Sequence, residues 1–303
     1  MKIIKKILEA IKEPRKVIIY FASLGIIKYD DKKYLEYMYR KKMGKELNLE
    51  NPIEFNEKLQ WLKLYDRNPL YTKLVDKYEV KNYITNTLSE EYVIPLLGVY
   101  DKINQINFDN FPDKFVLKTT HDSGTIVICT NKEKFNKKAA LKKLKKRLKR
   151  KYYYLWREWP YKNIKPKIIV EPFIIDKNGQ LNDYKFFCFN GKSDYVMVCI
   201  DRDIGKTKFY YYDRNWQLQK EMSEDASKVS DNFNLPKPNN LNEMFEIAEK
   251  LSKGFPFVRI DLYNVDGKIY FGEFTFYPSA GFDKDRANQC SKIFSQKLKI
   301  YKE

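Results

Sequence analysis

The residues best placed to do chemistry lie near the C-terminus, in the segment PFVRIDLYNVDGKIYFGEFTF from Pro256 to Phe276. Asp266-Gly267 is a turn dipeptide between two apolar runs, which predicts an antiparallel hairpin. A turn centred on Gly267 sets Asp261 opposite Glu273 and Arg259 opposite Thr275. Side chains alternate along a strand, so these four share one face, while Ile260, Leu262, Gly272 and Phe274 take the other. Two carboxylates directly opposite one another have Cβ atoms roughly 5 Å apart and repel. A cation between them turns that repulsion into binding, and oxygen ligands completed by phosphate oxygens and water suit Mg²⁺. The plainer alternative is an exposed acidic pair neutralised by Arg259. The surrounding aromatics and the following loop, Tyr277-Pro278-Ser279-Ala280-Gly281, argue against a solvent-facing sheet.

Other chemistries find less support. Gly205-Lys206-Thr207 and Gly191-Lys192-Ser193 end like a P-loop, but the leading glycine's place is held by Ile200 or Phe186. There is no GxGxxG. His121 is the single histidine, and no GxSxG elbow accompanies it, so a hydrolase triad is not expected. Cys129, Cys188, Cys199 and Cys290 are far apart, without a CxxC pair. The first three fall in strand-like runs and read as buried thiols of a reducing compartment, with no zinc site.

The elements that must carry these residues are mixed. Residues 1–70 read as helical, with Trp61, Leu62 and Leu64 as core candidates, and 71–95 as a helix closed at Ile94-Pro95. Strand-like runs at 114–119 and 126–130 flank the polar turn His121-Asp122-Ser123-Gly124. Runs at 167–173, 183–190, 194–200 and 207–213 read as neighbouring strands, and a helix at 241–252 leads to the hairpin. Strands and helices mix without strict βαβ alternation, which gives an α+β class.

Charge narrows the partners. The 58 Lys and Arg against 40 Asp and Glu leave +18, which attracts polyanions such as acidic glycans, phosphates or an anionic membrane. Much of the excess is Lys rather than Arg, which disfavours base-edge reading of nucleic acid. The basic segment 132–151 spaces Leu141, Leu144 and Leu148 as on a helix. It reads either as a membrane or nucleic-acid surface or as a solvated helix over a sheet. Val17 to Ile27 is too short to span a bilayer and has no leader-like cleavage site. With Lys5, Lys6, Lys12, Arg15, Lys16 and Lys28 around it, it either rests on an anionic membrane or packs on the body as a helix pair.

Taken in order, Asp76-Lys77, Lys118 before a small polar loop, Glu171, Arg259-Ile-Asp261 and Glu273-Phe-Thr275 resemble the ATP-grasp enzymes. WLKLYDRNPLYTKLVDKYEV, FVLKTTHDSG, DYKFFCFNG and FPFVRIDLY resemble its TupA-like branch, named for teichuronopeptide biosynthesis, over residues 50–285. The resemblance implies two α+β lobes clamping ATP, a small lobe at 71–165 and a large lobe at 166–303, behind a helical region at 1–70. It implies that Lys77 and Lys118 reach the α- and β-phosphates and that His121, Ser123, Gly124 and Thr125 belong to a flexible phosphate-covering loop. Glu171, Pro172 and Phe173 would form the adenine hinge, Asp183 would take the ribose hydroxyls, and Lys185 would touch the triphosphate. Asp261, Glu273 and Thr275 would hold Mg²⁺, Thr275 standing where relatives carry Asn. Arg259 would stabilise the oxyanion, and Ser279, Ala280 and Gly281 would line the acceptor pocket.

The implied activity is ADP-forming ligation of a carboxylate to an amine in surface-polysaccharide (capsule) assembly. The partners would be an amino acid or other amine and an acidic glycan or its lipid-linked precursor, at the inner membrane face of the cytoplasm. The alternative is a glycosyltransferase of the same pathway, for which Asp201-Arg-Asp203 is the candidate DxD pair.

Overall fold

The computed structural model describes residues 14–201 and 207–300, so Lys5, Lys6, Lys12, Asp203, Gly205 and Lys206 lie outside the described residues. Two antiparallel sheets dominate. The smaller joins β1 (Gly98–Tyr100), β2 (Phe115–Thr119), β3 (Ile126–Cys129) and β4 (Ile168–Pro172) in the order β1-β4-β2-β3. Phe115, Leu117, Ile168 and Val170 form one apolar face. The helix Lys137–Leu148 lies over it through Leu144, so the basic segment is a helix on a sheet that leaves most of its lysines in solvent. The sequence grouped β4 with the strands of the large lobe. Its ladder instead runs to β1 and β2, which carries the small sheet past residue 166 to Pro172.

The larger sheet has the order β7-β6-β5-β8-β9, from β5 (Asp183–Phe189), β6 (Lys192–Ile200), β7 (Lys208–Asp213), β8 (Phe257–Val265) and β9 (Lys268–Thr275). The sequence of β5, DYKFFCF, shows how this sheet is used. Tyr184, Phe186 and Cys188 face the helix Leu241–Ser252, where the Phe186 and Phe245 rings meet at 4.9 Å. The other face changes character along the strand, from Asp183 and Lys185 to Phe187 and Phe189. Its apolar end is covered by the helices Phe55–Tyr65 and Asn288–Lys297, through Phe55 and Phe294. Its charged end is left for the site.

Two further sequence expectations are corrected. Residues 71–95 do not form one helix; Leu70–Val75 and Glu79–Thr87 are separate, because the Asp76 carboxylate accepts from the Tyr78 and Glu79 amides and turns the chain. In the helix Phe55–Tyr65, Leu62 is buried as expected, but Lys63 is buried where Trp61 and Leu64 remain partly exposed. Lys63 Nζ uses three donors, on Gln60 Oε1 (3.0 Å), the Trp156 carbonyl (2.9 Å) and the Ala280 carbonyl (2.6 Å), which is what makes its burial tolerable. Burial pushes this ammonium down to about 7, against the pull of Glu158. At the N-terminus the packing alternative is seen directly. Helix Pro14–Ser23 packs on the body through Ile19 and Ala22, yet Ile18, Tyr20, Phe21, Leu24, Ile26 and Ile27 remain exposed. No helix among the described residues is long and apolar enough to cross a membrane.

Candidate active site

The hairpin brings Asp261 opposite Glu273 and Arg259 opposite Thr275, but by a route the sequence did not show. The turn is the two-residue Asp266-Gly267, both at positive φ (51° and 88°), so Val265 pairs with Lys268 and Leu262 with Phe271. An extra residue, Gly272, then bulges out of β9 and shifts the register by one. Without that bulge Glu273 would not face Asp261. Glycine is required there by close approach: a Cβ would lie 2.9 Å from the Asp261 carbonyl oxygen. Phe271, not Gly272, therefore stands opposite Leu262, as a correction to the face expected from the turn.

Asp261 is 2% exposed and is held by two cations. Arg259 holds it bidentately, Nε to Oδ1 at 2.6 Å and Nη2 to Oδ2 at 2.7 Å, and Lys185 Nζ, from the paired position on β5, reaches Oδ2 at 2.5 Å. Burial works against the charged carboxylate, but Arg259 and Lys185 outweigh it and hold Asp261 below the usual carboxylate range. Lys185 also lies 3.5 Å from buried Asp183. Glu273 is the open member of the pair, its side chain 45% exposed, with Oε1 3.7 Å from Arg259. The Thr275 hydroxyl accepts from Arg259 at 3.1 Å. Arg259, Asp261, Glu273 and Thr275 thus do form one polar face.

The small sheet presents lysines to this face. Lys118 on β2 reaches Glu171 on β4 at 2.6 Å, and Lys81, which sequence reasoning missed, holds the other oxygen at 2.5 Å. Burial alone would raise the Glu171 pKa; the two lysines lower it below the usual value. The Glu171 carboxylate is therefore committed to lysines, and the Phe173 amide donates to the Lys114 carbonyl at 3.4 Å. Lys77 stands at the break after Val75, not on a solvated helix face, and its Nζ donates to the Asp122 carbonyl. Burial pushes the Lys77 ammonium down, opposed by Glu273 and Asp122.

The loop after Lys118 is tied down rather than free. Asp122 accepts from the Thr119 hydroxyl at 2.5 Å and the Thr125 hydroxyl at 2.6 Å, and His121 is buried with Nε2 3.2 Å from the Arg150 carbonyl. Only Ser123 and Gly124 form an exposed tip, so His121 and Thr125 support the loop from beneath.

Two cavities meet at the hairpin. The first, about 110 Å³, lies between the sheets, with Lys77, Lys81, Lys118, Glu171, Asp183 and Asp261 on its polar side. Val80, Val93, Ile94, Ile126, Ile169 and Phe271 line it with apolar surface that no motif had signalled. The second, about 350 Å³, is bounded by Arg259, Glu273, Thr275, Ser279 and Ala280. Ser279 and Ala280 both sit at positive φ (51° and 52°), held there by Lys63 and Gln60 on the Ala280 carbonyl. Gly281 is not in this wall; it packs against Leu59 and Gln60. A larger cavity of about 870 Å³, between Trp61, Tyr65 and Phe255, shares none of these groups.

A family model described as TupA-like ATP-grasp matches residues 57–299. The chain belongs to that family. Its α+β architecture is that of an ATP-grasp enzyme. No curated protein matches the sequence. Among solved structures it is similar to D-alanine–D-alanine ligase from Bacillus anthracis (16% identity, 79% of this chain and 66% of that one, TM-score 0.40). It is also similar to D-cycloserine synthetase (14%, 76% and 71%, 0.38) and to the ATP-grasp ligase PsnB complexed with minimal precursor, Mg and ADP (9%, 80% and 66%, 0.39). The chain spans about two thirds of the length of the first and third of these.

In this ATP-grasp chain the donor set can be tested against Mg²⁺. Among the described residues no group of three His, Cys, Asp or Glu could hold a metal alone. Two cross-strand carboxylates and a hydroxyl suit Mg²⁺, which retains water and shares phosphate oxygens, so the residues fit a metal that arrives with a nucleotide. Of the DxD pair, Asp201 is ion-paired with Lys208 at 3.0 Å and lines neither cavity.

Proposed function

We propose that the chain is an ADP-forming ligase that joins a carboxylate to an amine. One observation carries the reading: Glu273 lines both cavities, so a cleft with four lysines and an apolar slot adjoins a second chamber beside Arg259. A nucleotide whose base occupies the apolar slot has its phosphates among Lys77, Lys81 and Lys118, and its terminal phosphate at the junction. Asp261, Glu273 and Thr275 would hold Mg²⁺, which supplies charge neutralisation on the transferring phosphoryl group.

A substrate carboxylate oxygen in the second chamber attacks the γ-phosphorus, and ADP departs with the bridging oxygen. The amine nitrogen then attacks the acyl carbon of the mixed anhydride; phosphate leaves with the C–O electron pair and the amine loses a proton. Arg259 stands where negative charge develops on the acyl oxygen and stabilises it there. Ser123 at the loop tip lines the second chamber and shields it from water. Asp183 faces the ribose end of the cleft, and Lys185 trades its hold on Asp261 for phosphate oxygen.

The substrates we propose are an amino acid and a uronic-acid-containing surface glycan or its lipid-linked precursor. The +18 charge and the lysine-rich face of Lys137–Leu148 support an acidic acceptor. The test is incubation with ATP, Mg²⁺, polyglucuronate and each of the twenty amino acids. ADP and phosphate should appear in step with a new amide. Formation of AMP and pyrophosphate, or sugar transfer from a nucleotide sugar without ATP consumption, sinks the ligase reading.

A further inference from the structure

The second chamber contains a carboxylate that no step above uses. Glu158 is buried and lines the cavity beside Arg259 and Glu273. The other buried carboxylates of the site are satisfied: Asp261 has Arg259 and Lys185, Glu171 has Lys118 and Lys81, Asp183 has Lys185, and Asp122 accepts from the Thr119 and Thr125 hydroxyls. Among the described residues Glu158 forms no ion pair, and its one side-chain hydrogen bond is a 3.5 Å contact from the Tyr152 hydroxyl. Lys63, whose charge acts on Glu158, and Arg157, next to Glu158 in the chain, are spent elsewhere. Lys63 gives all three donors to Gln60, Trp156 and Ala280, and the adjoining Arg157 is committed to Asp31 and the Tyr154 carbonyl. Around Glu158 the cavity wall is aromatic, from Tyr152, Trp156, Tyr161 and Tyr277. An anion amid ring faces is a poor site for a carboxylate, phosphate or sugar acid. It is a good one for an ammonium, attracted both by the charge and by the ring quadrupoles.

We infer that Glu158 and its aromatic surround form the subsite for the amine substrate, bound as a primary ammonium before ligation. This rests on the ligase reading and names the amine's place in it: the nitrogen waits on the chamber wall that faces Arg259, where the acyl phosphate forms. Burial pushes the Glu158 carboxyl up to about 7, against the pull of Lys63, as expected of a carboxylate lacking its cation. The same geometry predicts selectivity: charged amines are taken and their hydroxyl isosteres are not.

The test uses the full chain with benzylammonium as probe and benzyl alcohol as its neutral isostere, titrated calorimetrically at pH 7.5, with ATP titrated in parallel. The wild type should bind benzylammonium saturably and at least tenfold tighter than the alcohol. Glu158→Gln should weaken benzylammonium at least tenfold while ATP affinity stays within threefold. Equal affinity for amine and alcohol in the wild type, or undiminished benzylammonium binding by Glu158→Gln, overturns the subsite. Should that variant not fold, wild-type crystals soaked in 4-bromobenzylammonium decide it. Anomalous bromine density in this cavity with the ammonium at Glu158 supports the assignment, and any other placement removes it. Failure of the ligase reading looks different: ADP release is absent while benzylammonium binding persists.

Discussion

Arg259 and Lys118 are both cations at one cleft, yet their partners divide their work. Lys118 is held by Glu171 beside the apolar slot, where a nucleotide phosphate can replace that contact. Lys118→Ala should weaken ATP binding by about 1.5–3 kcal/mol, the worth of a charge-assisted contact, and Lys81→Ala should do likewise. Arg259 borders the second chamber. Arg259→Ala should keep ATP affinity within severalfold but slow turnover about a hundredfold, because its contact strengthens only in the transition state. Calorimetry beside an ADP-release assay reads both, and equal loss of ATP affinity in the two variants would make Arg259 a phosphate ligand instead. Glu273→Gln should abolish most Mg²⁺-dependent turnover while the fold survives, since its side chain is half-exposed. Glu171 gives the pH prediction. Its folded pKa lies below the unfolded value, so its stabilisation is complete above about pH 4.3 and is lost as pH falls through the lower folded value. Glu171→Gln should therefore cost about 3–5 kcal/mol at pH 7, by stranding two lysines, and the gap to wild type should narrow in urea melts at acid pH.

At the scale of elements, the Gly272 bulge is the feature on which the carboxylate pair depends. The Cβ of an alanine there meets the Asp261 carbonyl oxygen at 2.9 Å; that oxygen is backbone and the Cβ is fixed by its own main chain, so the strand must shift. Gly272→Ala should reduce ADP release more than tenfold with a stability loss of about 1–3 kcal/mol, a cost typical of overpacking. Circular dichroism melts and turnover measured together check it; normal turnover would mean that the register tolerates the slip. The break at Asp76 plays the matching part in the small lobe. It ends the helix at Val75, two residues before Lys77, which lets that ammonium turn inward to the Asp122 carbonyl.

On the scale of the whole molecule, the exposed apolar residues of 18–27 stand among Arg15, Lys16, Lys28, Lys32 and Lys33, all exposed themselves. That pairing of apolar surface and positive charge complements an anionic bilayer, which we propose as the docking partner. The chain should sediment with phosphatidylserine vesicles at low salt and release at high salt. Phe21→Ser with Ile26→Ser should abolish sedimentation, and undiminished binding by this double variant would move the contact elsewhere. The inter-sheet cleft, at about 110 Å³, is smaller than the roughly 300–1,000 Å³ usual for ligand pockets, so ATP entry requires the two sheets to part.

Much of the site was legible because its signals are local. The alternation of VRIDL and GEFT, the turn dipeptide and the strand DYKFFCF set the face, the partners and the α+β class from residues a few positions apart. Tertiary structure decided what depends on distant groups. Nothing near Lys63 in the sequence shows that Trp156 and Ala280 will offer it carbonyls, so a charged residue takes a core position. Glu158 and Lys81 gain their meaning from having, or lacking, partners far along the chain. β4 joins the small sheet because its ladder partners lie some fifty and seventy residues upstream. The bulge is the case in between: the glycine was visible, but its need came from the Asp261 carbonyl across the ladder. Periodicity fixes which way a side chain points, whereas burial, pairing and register are set by atoms that only folding brings into contact.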